Sequence, residues 1–153
     1  MSIEEAYETQ REFEEKIREE IASMLSIFRF EAEISKAIKG RSGIMHEVDI
    51  VAEKKDDHSP IRLLIKCKSP MEETFLRVDE VLCFWAQILD AAADGGMIIT
   101  TCKISEAAIK FAEHHRILII TGRNRHELRY KILQSKILGL KMIRGRESQL
   151  YNK

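Results

Sequence analysis

Two short stretches hold the residues best suited to chemistry, His46 to Glu53 and Ile61 to Lys68. The first reads His-Glu-Val-Asp-Ile-Val-Ala-Glu and the second Ile-Arg-Leu-Leu-Ile-Lys-Cys-Lys. Side chains alternate across a strand. Val48, Ile50 and Ala52 therefore share one face, and Glu47, Asp49 and Val51 the other. In the second stretch Ile61, Leu63, Ile65 and Cys67 oppose Leu64, Lys66 and Lys68. A carboxylate and two ammonium groups on largely apolar strands are costly to desolvate, which marks the pair as a candidate active site. An aspartate on one strand and a lysine ending its partner suit metal-assisted opening of a phosphodiester. The carboxylate holds a divalent ion, and the lysine meets the phosphate or the attacking water. Magnesium takes one or two carboxylates together with substrate phosphate and water. Asp49 and Lys68 fit those roles.

The elements that must position these residues follow from periodicity. Ser2 to about Leu25 reads as a helix, with Ser2 and Glu5 in capping-box spacing and an apolar stripe of Ile3, Tyr7, Phe13, Ile17, Ile21 and Met24. Glu14 and Glu20 flank that stripe, and periodicity does not choose between them. Phe28 to Ile38 alternates as a strand, with Phe28, Phe30, Ala32 and Ile34 on one side. The basic, glycine-containing turn Lys39-Gly40-Arg41-Ser42-Gly43 follows, and Lys54 to Pro60 is the polar turn inside the strand pair. Met71 to Ala93 reads as a long helix whose buried side includes Leu76, Val78, Val81, Leu82, Trp85, Ile88 and Leu89, stopped by Gly95-Gly96. Met97 to Cys102 and Ile117 to Ile120 are apolar enough for strands buried on both faces. Ser105 caps a helix running through His115, and Asn124 begins another reaching about Leu138. A three-strand meander followed by a β-α-β-α-β run requires right-handed parallel crossovers. The expected fold is α/β, a mixed central sheet flanked by helices on both faces.

The chain of 153 residues is expected to be one domain over 1–139, followed by a basic C-terminal tail at 140–153. Formal net charge is zero, so no global field draws in nucleic acid. The charge is nonetheless segregated. Residues 1–20 hold eight acidic and three basic side chains, whereas 123–153 hold nine basic and two acidic. Such a dipole either presents a basic face or pairs the two ends across an interface. Cys67, Cys83 and Cys102 lack metal-ligand spacing and sit in apolar runs, which predicts buried thiols and a reducing, cytoplasmic setting. No stretch is apolar enough to span a membrane, and the N-terminus is acidic rather than signal-like.

The order helix, strand, Asp-bearing strand and strand ending in acid-x-Lys resembles the restriction-endonuclease-like PD-(D/E)xK superfamily. The segment Gly96-Met-Ile-Ile-Thr-Thr-Cys-Lys-Ile-Ser-Glu-Ala-Ala-Ile-Lys-Phe-Ala-Glu, followed by Arg116-Ile-Leu-Ile-Ile-Thr-Gly, resembles its Mrr-like and archaeal nuclease members. Phe13-Glu14 resembles their Phe-Glu in the first helix, and Gly40-Arg-Ser-Gly before His46-Glu-Val-Asp resembles related archaeal sequences. The likeness covers roughly Phe13 to Leu128. It implies a restriction-endonuclease-like fold and a Mg²⁺- or Mn²⁺-dependent endonuclease acting on DNA as a homodimer. Asp49 would bind the metal, Lys68 would contact phosphate or activate water, and Glu14 would complete or orient the metal site. Lys66 departs from the pattern, standing where the family has Glu or Gln.

That substitution leaves three outcomes open. The metal could be held by Asp49 with Glu14 or another acid, Glu47 beside it or Asp79 or Glu80 on the next helix. Lys66 could instead pair with Asp49, leaving a basic cleft that binds without cutting, or an assembly subunit. Or Lys66 points outward and extends a phosphate-binding row with Lys68. In this fold Lys36, Lys39 and Arg41 would reach a duplex backbone, Arg41 by bidentate phosphate contact; the equal alternative is a solvated basic turn. Structural readings stand beside these. Asp49 could be a strand-end polar residue, and Lys66 and Lys68 edge residues that deter aggregation. Trp85 and the five histidines read as structural or exposed.

Overall fold

A computed structural model of the chain describes residues 2–55, 59–68 and 75–135, with side chains 3–10 outside the description. Helix α1, Ile3–Ile27, leads through a tight turn, with Arg29 at φ 68°, into β1, Glu31–Lys39. β2 is Met45–Lys54 and β3 is Ile61–Lys68. A two-residue strand β4, Phe75–Leu76, precedes α2, Val78–Asp90. Then come β5 Gly95–Thr100, β6 Lys103–Ile104, α3 Glu106–His115, β7 Leu118–Thr121 and α4 Arg125–Gln134. The main sheet has the order β1-β2-β3-β5-β7. β1, β2 and β3 are antiparallel neighbours, whereas β3-β5 and β5-β7 are parallel. The expected mixed α/β sheet is therefore present, and a small parallel pair, β4-β6, is an addition too short for alternation to reveal.

Two apolar layers sandwich the sheet. One packs Ile17, Ile21, Met24 and Leu25 of α1 and Leu128 and Ile132 of α4 on Ile50, Leu63, Ile65 and Ile99. The other packs Val81, Phe84 and Ile88 of α2 and Ala108 and Ala112 of α3 on Val51, Leu64 and Ile98. Each fully buried aliphatic side chain contributes about 1.5–3 kcal/mol of transfer free energy.

Several local expectations need correction. The helix read from Met71 begins at Val78, because Leu76 is buried in β4 and Arg77 is the N-cap of a capping box closed by Glu80. Residues 69–74 lie outside the described residues, as do the basic tail and the last turn expected for α4. Leu82 and Leu89 are exposed and Phe84 takes the interior place, because a face shared with both α3 and the sheet is rotated from the predicted stripe. Gly95 and Gly96 open β5 rather than stop the helix, and the chain turns instead at Ala92, φ 53°. A Cβ on Gly96 would fall 2.3 Å from Ile88 Cδ1, so glycine there permits close helix–sheet approach. Cys102 is buried, but Cys83 is exposed on the outer side of α2.

The most consequential correction concerns β2. Ile50 and Ala52 face α1, yet Val48 joins Val51 in the layer under α2. The β1-β2 pairing holds its register on either side of Asp49, with Ile34 opposite Ile50 and Lys36 opposite Val48. Between them Ser35 takes φ 53°, a left-handed conformation uncommon for a residue with a Cβ. The hairpin bends there, and its outer half folds over α2. Its tip is fastened to the end of that helix. Arg41 N–H donates to the Asp90 carbonyl, and Ser42 N–H and Oγ donate to the Asp90 carboxylate at 2.9 and 2.7 Å. His46 Nε2 lies 2.6 Å from the same carboxylate.

Candidate functional site

The bend places Asp49 where the β2-β3 ladder stops. The last paired residues are Ile50 and Ile65, and beyond them the Cys67 N–H donates to Asp49 Oδ2 at 2.8 Å. A side chain thus replaces a missing backbone acceptor and holds the carboxylate between the strands. Its other oxygen, Oδ1, accepts from Arg18 Nη2 at 3.1 Å, and the same Nη2 lies 3.8 Å from Glu14 Oε2. Glu14 and Arg18 stand one turn apart on α1, so both reach the sheet from one face. The Asp49 and Arg18 side chains are about three-quarters buried. Arg18 Nε is buried and has no hydrogen-bond partner among the described residues.

Lys68 belongs to a second cluster, on the α2 face of β3. It pairs with Glu80 Oε1, and the other oxygen of that carboxylate accepts the Arg77 N–H at 3.0 Å. Glu80 thereby closes the capping box of α2 and clasps the lysine together. Burial works to raise the Glu80 carboxyl, but the hydrogen bonds from Lys68 and Arg77 and the charges of Lys68 and Lys66 outweigh it and hold the group below its ordinary value. Lys66 is half-buried on the same strand and makes no ion pair among the described residues. On the opposite face, burial and then the Asp49 charge push the Cys67 thiol far up, so it is a protonated filler and not a nucleophile.

Of the residues singled out in the sequence, Asp49 and Glu14 come together around Arg18, and Lys66 and Lys68 come together around Glu80. The pairing of Lys66 with Asp49 does not form, since Arg18 holds that carboxylate. Glu20 is drawn away to Arg125 of α4 at 3.4 Å, which leaves Glu14 as the acid of α1 beside Asp49. Glu47 is exposed, and Asp79 pairs outward with Arg77 at 3.0 Å. Lys36 pairs with Glu33 at 2.8 Å, and Lys39 and Arg41 are exposed on the hairpin tip that is tied to Asp90. Sequence reasoning missed Arg18, although its spacing from Glu14 is that of facing helix neighbours. It also missed the Ser42-His46-Asp90 anchor, which joins residues 44 or more positions apart.

These residues do not fit a divalent-metal site. Glu14, Asp49 and Glu80 supply three negative charges, and Arg18, Lys66 and Lys68 supply three positive ones. Among the described residues no group of three acids, histidines or cysteines converges as metal ligands. A carboxylate exchanged for an ammonium a few ångströms from a divalent ion costs on the order of 10 kcal/mol at an effective dielectric near 20, before further screening.

Residues 9–128 match the restriction endonuclease family Mrr_cat, and the chain belongs to that family. Its fold is restriction-endonuclease-like. Among solved structures it is similar to a protein of unknown function, AF1548, at 24% identity and TM-score 0.57, covering 69% of this chain and 57% of that one. It is also similar to the DNA modification-dependent restriction endonuclease AspBHI at 14% identity and TM-score 0.46, covering 92% of this chain and 40% of that one. The MspJI restriction endonuclease, solved with a 27-mer oligonucleotide, matches at 17% identity and TM-score 0.44, covering 74% of this chain and 27% of that one. The chain thus spans less than two thirds of the length of each of these structures. No curated protein sequence matches it. No helix among the described residues is long and apolar enough to cross a membrane.

Proposed function

We propose that this domain holds DNA through its phosphate backbone at the end of β3, with the metal-dependent cutting of the family suppressed by an internal cation. One observation carries the reading: Arg18 occupies the cation side of Asp49, with Lys66, a cation, standing where the resemblance implies Glu or Gln. The carboxylate that would hold Mg²⁺ or Mn²⁺ is already paired with a guanidinium, while Lys66 adds an ammonium, without an ion pair among the described residues, to the face that carries Lys68. Cationic side chains at a strand end suit phosphate contact, which positions nucleic acid without reading its sequence.

A second reading is favoured by Glu80, an acid brought from α2 to the side of Lys68. In that reading Mg²⁺- or Mn²⁺-dependent hydrolysis survives on Asp49 and Glu80. Fluorescence anisotropy with a labelled duplex, together with plasmid nicking in Mg²⁺ or Mn²⁺, separates the two. The expected result is salt-sensitive binding without nicking that depends on Asp49. Nicking by the wild type that Asp49→Ala abolishes would establish the second reading. No binding at low salt would favour an assembly role for the fold. A homodimer is part of the proposal, since two half-sites call for two copies, and light scattering of the purified chain tests it. A cytoplasmic location, suggested by three cysteines in no obvious disulfide framework, is a proposal that fractionation tests.

A further inference from the structure

A different part of the sheet has the architecture of a ligand crevice. β5 and β7 are parallel neighbours. The helix after β5, α3, packs in the layer with α2, whereas the helix after β7, α4, packs in the layer with α1. Adjacent parallel strands whose following helices leave to opposite faces open a crevice beyond their carboxyl ends, and ligands of open α/β sheets bind there. In this chain a cleft of about 370 Å³ lies at that point, walled by Thr101, Lys103, Thr121, Arg123, Glu127 and Lys131 among others.

The cleft carries three cations against one acid. Glu127 is spoken for, since Arg123 Nε and Lys131 Nζ lie 3.3 and 3.5 Å from it, and it accepts the Arg123 N–H at 2.9 Å. Lys131 also donates to the Thr121 carbonyl at 2.6 Å, which fixes its head at the strand end. Lys103 makes no ion pair among the described residues. The Thr101 hydroxyl is a buried polar atom with no hydrogen-bond partner among the described residues, an unspent donor in the cleft wall. A surplus of positive charge and a spare hydroxyl at a strand-end crevice match an anion of phosphate type.

The crevice shares an edge with the candidate site. Lys68 lies opposite Thr100 across β3-β5, and Thr100 opposite Thr121 across β5-β7. Two strand spacings, roughly 10 Å, separate Lys68 from Thr121, within the reach of one nucleic-acid strand. We infer that the cleft at the ends of β5 and β7 is a phosphate-binding subsite, and that it takes a backbone phosphate of the same DNA strand that lies on Lys66 and Lys68. The DNA half of this inference rests on the proposed function; the phosphate half does not.

Two measurements on the full chain decide it. In the first, inorganic phosphate is titrated while backbone amide resonances are followed. Saturable shifts confined to 101–104 and 121–124 are expected, and their absence overturns the subsite. In the second, Lys103→Ala/Arg123→Ala, both exposed positions, is compared with the wild type in duplex binding over a range of salt. The slope of log affinity against log salt should fall by about two, one for each cation removed from a phosphate. An unchanged slope and affinity, with the phosphate shifts intact, overturns the DNA half and assigns the cleft to a free phosphate-bearing ligand. A wild type that binds no DNA overturns the proposed function, and the phosphate titration still decides the subsite.

Discussion

Arg18 Nη2 and Asp49 Oδ1 lie 3.1 Å apart, so the acid that the sequence marked as a candidate metal ligand already holds a guanidinium. The contact works against metal binding twice, by occupying the oxygen and by cancelling the charge. It also constrains α1 against the bend in β2, because Asp49 is tied at its other oxygen to the Cys67 N–H.

Arg18→Met keeps the aliphatic bulk of that side chain and removes its charge. The Asp49 carboxylate then loses its cationic neighbour and becomes available to an external cation. Calorimetric titration with Mn²⁺ should show binding that the wild type lacks. Because the pair is partly solvated, the loss of stability should be modest, about 1–2 kcal/mol, read from the urea midpoint.

Lys66→Glu replaces the cation with one of the two residues, Glu or Gln, that the resemblance implies there, and changes the local balance from zero to two negative charges. Mn²⁺ or Mg²⁺ affinity should rise, and nicking of supercoiled plasmid should appear and vanish again in Lys66→Glu/Asp49→Ala. If Lys66→Glu binds metal no better than the wild type, the charge argument for the site is wrong. Duplex affinity measured without metal should fall in the same variant, since attraction to a phosphate becomes repulsion.

How much of this was legible in the sequence depends on the range of the interactions. The mixed sheet with helices on both faces follows from local alternation and from the rule for parallel crossovers, and β3 was read with its observed ends. The start of α2 was not, because an apolar run that includes Leu76 continues the helical stripe, and only the pairing of Leu76 with Ile104 makes it a strand. The reversal of faces at Asp49 was invisible for a related reason. Strict alternation assigns Val48 and Ile50 to one side, and nothing in the local residue types announces that Ser35 adopts a positive φ. Asp49, Lys66 and Lys68 stood out as candidates because they interrupt otherwise apolar strands. Arg18 was hidden among the charges of α1, where its meaning appears only once the helix lies across β2.

Gly96 tests the packing that sets α2, and through it Glu80, against the sheet. A methyl group there would lie 2.3 Å from Ile88 Cδ1 and 2.9 Å from Phe84 Cε2. Phe84 is buried against the sheet, so relief requires a shift of the helix as well as a new Ile88 rotamer. Gly96→Ala should therefore destabilise the chain by about 1–3 kcal/mol, the usual cost of overpacking, measured by thermal or urea unfolding. A change under about 0.5 kcal/mol, within the range of ordinary surface substitutions, would mean that α2 sits more loosely on the sheet than Gly96 and Ile88 indicate.

Asp90 gives the fold an acid limit. The hydrogen bond with His46, followed by those from the Ser42 hydroxyl and N–H, lowers its carboxyl to about 2. The folded value is below the unfolded one, near 4, so the unfolded chain binds the proton first as pH falls. The contribution of this carboxylate is complete above about pH 4 and is lost as pH falls towards 2. Asp90→Asn should accordingly narrow the difference in urea midpoint between pH 4.5 and pH 2.5 relative to the wild type. It should also release the hairpin tip, seen as faster amide exchange at Arg41 and Ser42, whose N–H groups lie against Asp90. An acid limb identical in both proteins would mean that the tip is not held through this carboxylate.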